Sequence, residues 1–437
     1  MANILVELSK YFFVLCIGFF TLHGFVVFRY PDEEDRTGFY IMQNIFMLLI
    51  HCGGFFVLAR VLDDRKQYFY LAISLVILLA AIALFRCIYP KSDRLILNNM
   101  CLLLSVSFIM LARLSSGKFL RQFSVVVLSI IIGLLIPQLM KFSKKIMLGY
   151  RFSAYIAGGA GIVMLLLVLL AGAVTNGSRL SFTIQGVTFQ PSELVKIIFV
   201  FFIASAITLY EDKRILSGIF LTGLVYVAIL ALSKDLGSAL IYFIVLIIMF
   251  YTGRNDIRYL LGGLLGLIAG SLAGYFLFSH VRTRVLAWLD PFSDIEGKGY
   301  QIAQSLFAIG TGGWFGLGLG QGSPGKIPVA ASDFIFSAIA EEFGCLFAIF
   351  IILICLSNFL MFMNIALKCQ DLFYRLCITG FAVIYGFQVF LTIGGVIKFI
   401  PLTGVTLPLV SYGGTSVLMT ITLFSIIQGI EIIKNEK

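Results

Sequence analysis

Long apolar runs, broken by short polar connectors, fill almost the whole chain. Ile162–Val174, Ile197–Leu209 and Leu346–Leu356 contain no charged residue. Crossing a hydrocarbon core as a helix takes about 20 apolar residues. A membrane barrel would instead show short segments alternating with period two, and no such alternation is present. The pattern predicts an all-α polytopic membrane protein with about 13 spanning helices. They fall near residues 8–28, 39–60, 68–89, 97–113, 122–140, 153–175, 191–210, 215–233, 236–252, 258–279, 333–358, 374–397 and 408–430.

Most connectors are short, and three are not. Residues 280–331 form one long segment dense in carboxylates, arginines, lysines, aromatics and glycines. Long loops in compact proteins are uncommon and usually functional. Asn176–Pro191 leads into Pro191-Ser-Glu193, and proline at the first helical position followed by an acid in the first turn is helix-start chemistry. Pro401–Ser416, rich in Pro, Gly and hydroxyls, reads as a broken or re-entrant segment, tolerated in a membrane only where protein or water surrounds it. All three are expected to be irregular, external and convergent on one extracytoplasmic cavity.

Only 12% of the 437 residues are charged, 60% are hydrophobic and the mean hydropathy is +1.03, against about 25% charged in a soluble domain. The net charge of +10 has no soluble basic domain to carry it, which argues against a nucleic-acid partner. Lysines and arginines collect instead in particular connectors: Lys141, Lys144, Lys145 and Arg151, then Lys213 with Arg214, then Arg254 with Arg258. The positive-inside rule places these in the cytoplasm and so puts residues 280–331 outside and the C-terminus inside. With 13 spans the N-terminus is outside, and the first apolar run is read as a retained span rather than a signal peptide. The eight cysteines form no C-x-x-C pair and lie mostly in or beside apolar runs, where they serve as small hydrophobes. His23, His51 and His280 are too scattered for a metal cluster.

The long connector carries the candidate chemistry. Asp290 and Asp294 bracket Pro291-Phe-Ser293, with Arg282 and Arg284 just before them. Carboxylates among cations at a membrane surface suit transfer from a pyrophosphate-linked donor. A carboxylate deprotonates the acceptor hydroxyl, and cations or a metal stabilise the departing phosphate. Gly320–Lys326 matches G-x-x-x-x-G-K, but Ile327 stands where Ser or Thr is required and no strand–turn–helix unit surrounds it, which excludes a nucleotide loop. The glycines can still aim N–H groups at an anion, with Lys326 beside them as a phosphate contact. Within the spans, Glu193 and Lys196 are spaced to pair. Lys234–Asp235 opens one span, and Glu341–Glu342 lies inside the run that follows Asp333. Charges at such positions mark functional sites or structural ion pairs.

Four blocks together resemble the shape, elongation, division and sporulation (SEDS) family, that of RodA, FtsW and SpoVE. They are Gln190-Pro-Ser-Glu-Leu-Val-Lys196, Asp235-Leu-Gly-Ser238, Asp290–Phe336 and Pro401–Ser416. The resemblance covers roughly residues 97–437 and implies a ten-helix glycosyltransferase core there, with residues 280–331 as the catalytic loop and residues 1–96 adding about three spans. It implies a peptidoglycan glycosyltransferase that polymerises lipid II into an undecaprenyl-linked glycan outside the cytoplasmic membrane, beside a class B penicillin-binding protein. The family's essential aspartate lies five residues before Gly-Tyr-Gln, which is Asp294 here. The resemblance thus points to Asp294 as base or as anchor for a divalent cation (Mg2+ or Mn2+). Glu193, Lys196, Asp235, Lys326 and Asp333 match polar family positions, and with Arg282 and Arg284 they form the expected substrate-binding set. Ser181, Ser233-Lys234, Thr392, Lys398 and Thr406 depart from the usual pattern and mark a divergent member. A lipid II flippase and a non-catalytic scaffold are the competing functions.

Overall fold

The computed structural model describes residues 2–30, 32–146, 150–175, 178–184 and 187–435. Its helices are α1 (Ala2–Val26), α2 (Glu33–Val61), α3 (Lys66–Ile88), α4 (Arg94–Leu114), α5 (Ser116–Ile146), α6 (Tyr150–Ala171), α7 (Pro191–Leu209) and α8 (Lys213–Leu232). They continue as α9 (Leu236–Arg254), α10 (Arg258–Leu277), α11 (Ser279–Leu289), α12 (Tyr300–Gly312), α13 (Ile335–Phe343), α14 (Cys345–Leu367), α15 (Leu372–Val396) and α16 (Gly414–Asn435). Among the described residues, twelve helices are long and apolar enough to cross a membrane. A shorter apolar helix over Gly158–Ala171, within α6, stands where the remaining span is expected. The chain is a multi-pass, all-α membrane protein.

Three expectations need correction. The run at 333–358 is not one span. Gly344 breaks it at φ +90°, and a Cβ there would lie 2.4 Å from both Gly316 N and Trp314 O. Short α13 precedes the break and spanning α14 follows it, so Glu341 and Glu342 sit at the end of α13 rather than within a membrane helix. The 280–331 segment is half helical, containing α11, α12 and a 3-10 turn at Pro324–Lys326. The connector before α7 forms a small antiparallel sheet of β1 (Ala173–Thr175), β2 (Ser178–Ile184) and β3 (Val187–Phe189), in sequence order. Gly177, by contrast, lies outside the described residues, as do Asn176, Gln185 and Gly186. Pro401–Ser416 is irregular up to Gly413, as expected of a broken segment.

Helix α4 is buried along its whole length, whereas α10 stands at the periphery. The first three helices wrap the α4 side: α1 packs on α2 and α14, and α2 and α3 both pack on α4. Polar side chains pin them there. His51 is buried between the Ser105 and Ser74 hydroxyls at 2.8 and 2.9 Å. Asn98 donates to Tyr40 O at 3.2 Å, while Asn99 reaches Asn358 on α14 at 3.1 Å. Bonds of this kind between membrane helices are worth about 0.6 kcal/mol each, so they fix position more than they add stability.

At one end of the bundle, Asp93 caps α4 by accepting from Ile96 N at 3.0 Å. Its backbone also pairs with Gln428 on α16, at 2.8 and 2.7 Å. Surrounding protein pushes its carboxyl up to about 6 despite the capping N–H. A raised carboxyl favours folding fully below about pH 4 and loses that contribution as the pH climbs through its folded value. Asp93→Asn keeps the cap and cannot ionise. Thermal melts in detergent should therefore show it more stable than wild type at pH 8, by on the order of 1 kcal/mol given partial solvent screening, and no more stable at pH 4.5. A variant that is less stable at both values would contradict this.

Candidate functional site

Polar groups gather at the opposite end. Helix α7 begins there with Glu193 and Lys196, one turn apart and both buried, joined at 2.7 Å. Lys196 Nζ also donates to Gln388 Oε1 on α15 at 3.2 Å. Gln388 in turn donates to Thr406 O at 3.0 Å. The α7 pair is thus neutralised internally and ties α7 to α15 and to the 401–413 segment. Asp235 caps α9 through Ser238 N at 3.2 Å and accepts from the Ser192 hydroxyl at 3.3 Å. Gln190 Nε2 approaches the same carboxylate oxygen at 3.4 Å.

Helix α11 lies across this end. Arg284 Nη1 donates to Leu402 O at 3.3 Å and Thr403 O at 3.1 Å, and Trp288 Nε1 donates to Lys398 O at 3.1 Å. Glycine is required where the segment passes Arg284. Gly404 has φ +75°, and a Cβ there would sit 3.6 Å from Arg284 Nη2 and 3.7 Å from Asp333 Oδ2. Arg284 feels the negative charge of both Asp333 and Asp235. Burial raises Asp333 above the usual carboxylate range, against the Ser332 hydroxyl and Arg284. Burial also lowers Arg284, opposed by those two aspartates.

Residues 290–299 fold into a compact exposed turn. Asp290 Oδ1 accepts from Phe292 N at 3.2 Å, and Ser293 Oγ donates to Asp290 O at 2.9 Å. Asp294 is exposed; its Oδ2 accepts from Lys298 N at 3.1 Å and its carbonyl from Gly299 N at 3.0 Å. Lys298 lines a cavity of about 450 Å³ between α11 and α12, together with His280, Thr283, Arg284, Gln301 and Leu402. An apolar groove of similar volume between α9, α14 and α15, lined by residues such as Ile248, Phe359 and Phe387, contains no charged side chain and lacks groups for polar chemistry.

The other expected residues are dispersed. Arg282 stacks 5.6 Å from the Tyr275 ring on α10 and does not line the cavity. Lys326 is exposed on its 3-10 turn, and its carbonyl lies 3.5 Å from the Tyr300 hydroxyl. The glycine-rich stretch does face an anion, but one supplied by the chain itself. Gly320 N donates to Glu342 Oε2 and Ser323 N to Glu341 Oε1, both at 3.1 Å. Arg113, at the end of α4, pairs with Glu342 Oε1 at 3.0 Å and reaches Gly322 O at 3.2 Å. Helices α1 and α2 close over the same loop: a Cβ on Gly318 would lie 2.2 Å from Val6 Cγ1, and one on Gly320 2.8 Å from Val61 Cγ1. The first helices thus brace the 280–331 segment. Arg113, Lys298 and Gln388 were not singled out in the sequence. Only Arg113, a charge ending an apolar run, carried a signal there.

Among the described residues no group of three or more His, Cys, Asp or Glu side chains would cage a metal. Asp294 offers one carboxylate, which fits a Mg2+ shared with substrate phosphates and not an all-protein site.

The model of the FtsW/RodA/SpoVE cell cycle proteins matches residues 91–436, well over half of the chain. The chain belongs to that family. The peptidoglycan glycosyltransferase RodA of Mycobacterium bovis is 35% identical over 292 residues, covering 62% of each chain. The probable peptidoglycan glycosyltransferase FtsW of Geobacter sulfurreducens is 33% identical over 300 residues, covering 66% of this chain and 77% of that one. The match spans less than two thirds of the mycobacterial protein's length. Among solved structures, a chain of a peptidoglycan synthase complex that coordinates polymerization and crosslinking superposes with a TM-score of 0.66 at 27% identity, over 79% of this chain and 99% of that one. The rod shape determining protein RodA of Thermus thermophilus gives 0.57 at 27% identity, over 78% and 96%. Helices α1 to α3 precede the family match, so the brace on the glycine-rich loop comes from outside the matched region.

Proposed function

We propose that this protein is a peptidoglycan glycosyltransferase that polymerises lipid II at the outer face of the cytoplasmic membrane, working beside a class B penicillin-binding protein. One observation carries the proposal. In a member of this family, an exposed aspartate on a fixed turn accepts from the N–H of Lys298, which lines a cationic cavity at the polar end of a membrane bundle. Lipid II presents its disaccharide and pyrophosphate at the membrane surface and its tail in the lipid, which matches a site at the end of the helices.

Asp294 accepts the proton of the acceptor sugar hydroxyl as that oxygen attacks the donor's anomeric carbon. The bond from that carbon to the pyrophosphate oxygen breaks with inversion, and the pyrophosphate leaves with the electron pair. Holding attacking and leaving oxygens in line supplies much of the rate. The Gly299 and Lys298 N–H bonds fix the turn that aims Asp294. Arg284 is fixed by the Leu402 and Thr403 carbonyls and presents positive charge where negative charge develops. Asp235 and Asp333 offset the charge of Arg284, and the Glu193–Lys196 pair ties α7 to α15. Arg282 and Lys326 contribute surface charge that attracts the anionic lipid.

The test supplies purified protein in nanodiscs with lipid II, alone and with its transpeptidase. Glycan strands support the proposal. Translocation of lipid II across vesicles without strand formation would replace it with a flippase. Transpeptidase binding with neither activity would leave a scaffold.

A further inference from the structure

The cavity between α11 and α12 holds more positive charge than a positioning role for Arg284 requires. Arg284, Lys298 and His280 all line it, together with Thr283 and Gln301 as neutral hydrogen-bonding groups. No carboxylate is among its lining residues; Asp333 and Asp235 act on Arg284 from outside it, and Asp294 is engaged by Lys298 N. His280 Nε2 is buried without a hydrogen-bond partner. Leaving a buried ring nitrogen unsatisfied is costly, and a ligand acceptor entering the cavity would remove that cost.

We infer that this cavity is the seat of the donor's pyrophosphate, gripped by Arg284 and Lys298 and hydrogen-bonded by His280. The inference rests on the glycosyltransferase assignment above and adds which residues take the leaving group. Lys298 joins the two halves of the site, since it lines the cavity and its own N–H holds Asp294. A pyrophosphate drawn into the cavity therefore places the anomeric carbon near the base.

His280 gives the site a pH signature. The charged groups around it are Arg284 on its own helix, Lys234 at the start of α9 and Lys298 across the cavity. Burial, then Arg284 and Lys234, lowers its titration below the usual histidine range, so the empty site holds it neutral at pH 7. An anion favours the charged imidazolium. Binding therefore takes up a proton, and affinity for pyrophosphate rises as the pH falls.

The experiment uses the full-length protein in nanodiscs and inorganic pyrophosphate as probe, read by calorimetry and as an inhibitor of lipid II polymerisation. Lys298 is exposed, so Lys298→Met should fold. It should weaken pyrophosphate binding and raise KM for lipid II about tenfold with a smaller change in kcat, and Lys298→Arg should recover most of the loss. His280→Gln should abolish the tightening of pyrophosphate binding between pH 8 and pH 6. Glycerol phosphate, which stands for a phospholipid headgroup, should bind more weakly than pyrophosphate. Unchanged pyrophosphate binding in Lys298→Met overturns the inference, as does equal binding of the two probes. If the variants weaken pyrophosphate binding but the wild type forms no glycan, the cavity assignment stands and the glycosyltransferase assignment falls.

Discussion

Asp294→Asn should leave the protein folded and membrane-inserted while cutting glycan formation from lipid II by about 10²- to 10⁴-fold, the usual contribution of a positioned general base. Asparagine keeps the side-chain oxygen that accepts from Lys298 N, so the turn survives and only proton acceptance is lost. Asp290 gives the contrast. Its side chain accepts from Phe292 N and organises the start of the same turn, so Asp290→Asn should retain most of the activity. Rates from the two variants at matched protein levels, with melting curves as control, separate the roles. Equal losses would move the chemistry off Asp294.

The second large effect is on stability. Arg113→Met should destabilise the protein by about 3–5 kcal/mol, because it strands a buried, charged Glu342. The Glu342 side chain is 0% exposed and meets Arg113 at 3.0 Å. The same change removes the Arg113 bonds to Gly320 O and Gly322 O at 3.4 and 3.2 Å, so the glycine-rich loop should lose its anchor as the melting temperature drops. Replacing both partners, with Glu342→Gln added, should recover much of the stability because no lone charge remains. Melting curves of the two single variants and the double variant measure that coupling. Additive losses would show that the pair does not hold the loop.

The membrane helices were legible because a spanning helix is encoded locally, by unbroken apolar runs such as Ile197–Leu209. The proline at the start of α7 likewise marked its own boundary. What sequence could not supply was contact between distant residues. Glu341 and Glu342 look like intramembrane charges in an apolar run, and only the turn at Gly344, packed against Trp314 and Gly316, shows that the run is broken. The glycine-rich stretch reads as able to aim N–H groups at an anion, expected to be a phosphate. The anion is the carboxylate pair of α13, secured by an arginine 229 residues away from Glu342, and no local spacing encodes that. The candidate site divides in the same way. The family resemblance singles out Asp294, through its spacing to Gly-Tyr-Gln, and Arg284 is marked by its place in the loop. Lys298 and His280 gain meaning only when α11 and α12 enclose a cavity between them.

Every group assigned a chemical role lies at one end of the bundle, and the central claim is that this end works outside the cell, where lipid II is polymerised. Sided labelling with a membrane-impermeant maleimide in intact cells tests it directly. Glu296→Cys places a thiol on the exposed turn beside Asp294, and native Cys87, exposed at the opposite end of α3, serves as the internal reference. Label at position 296 in intact cells, with Cys87 reacting only after permeabilisation, is the predicted result. Label at Cys87 first, with position 296 protected until the membrane is opened, would put the site in the cytoplasm and contradict the account.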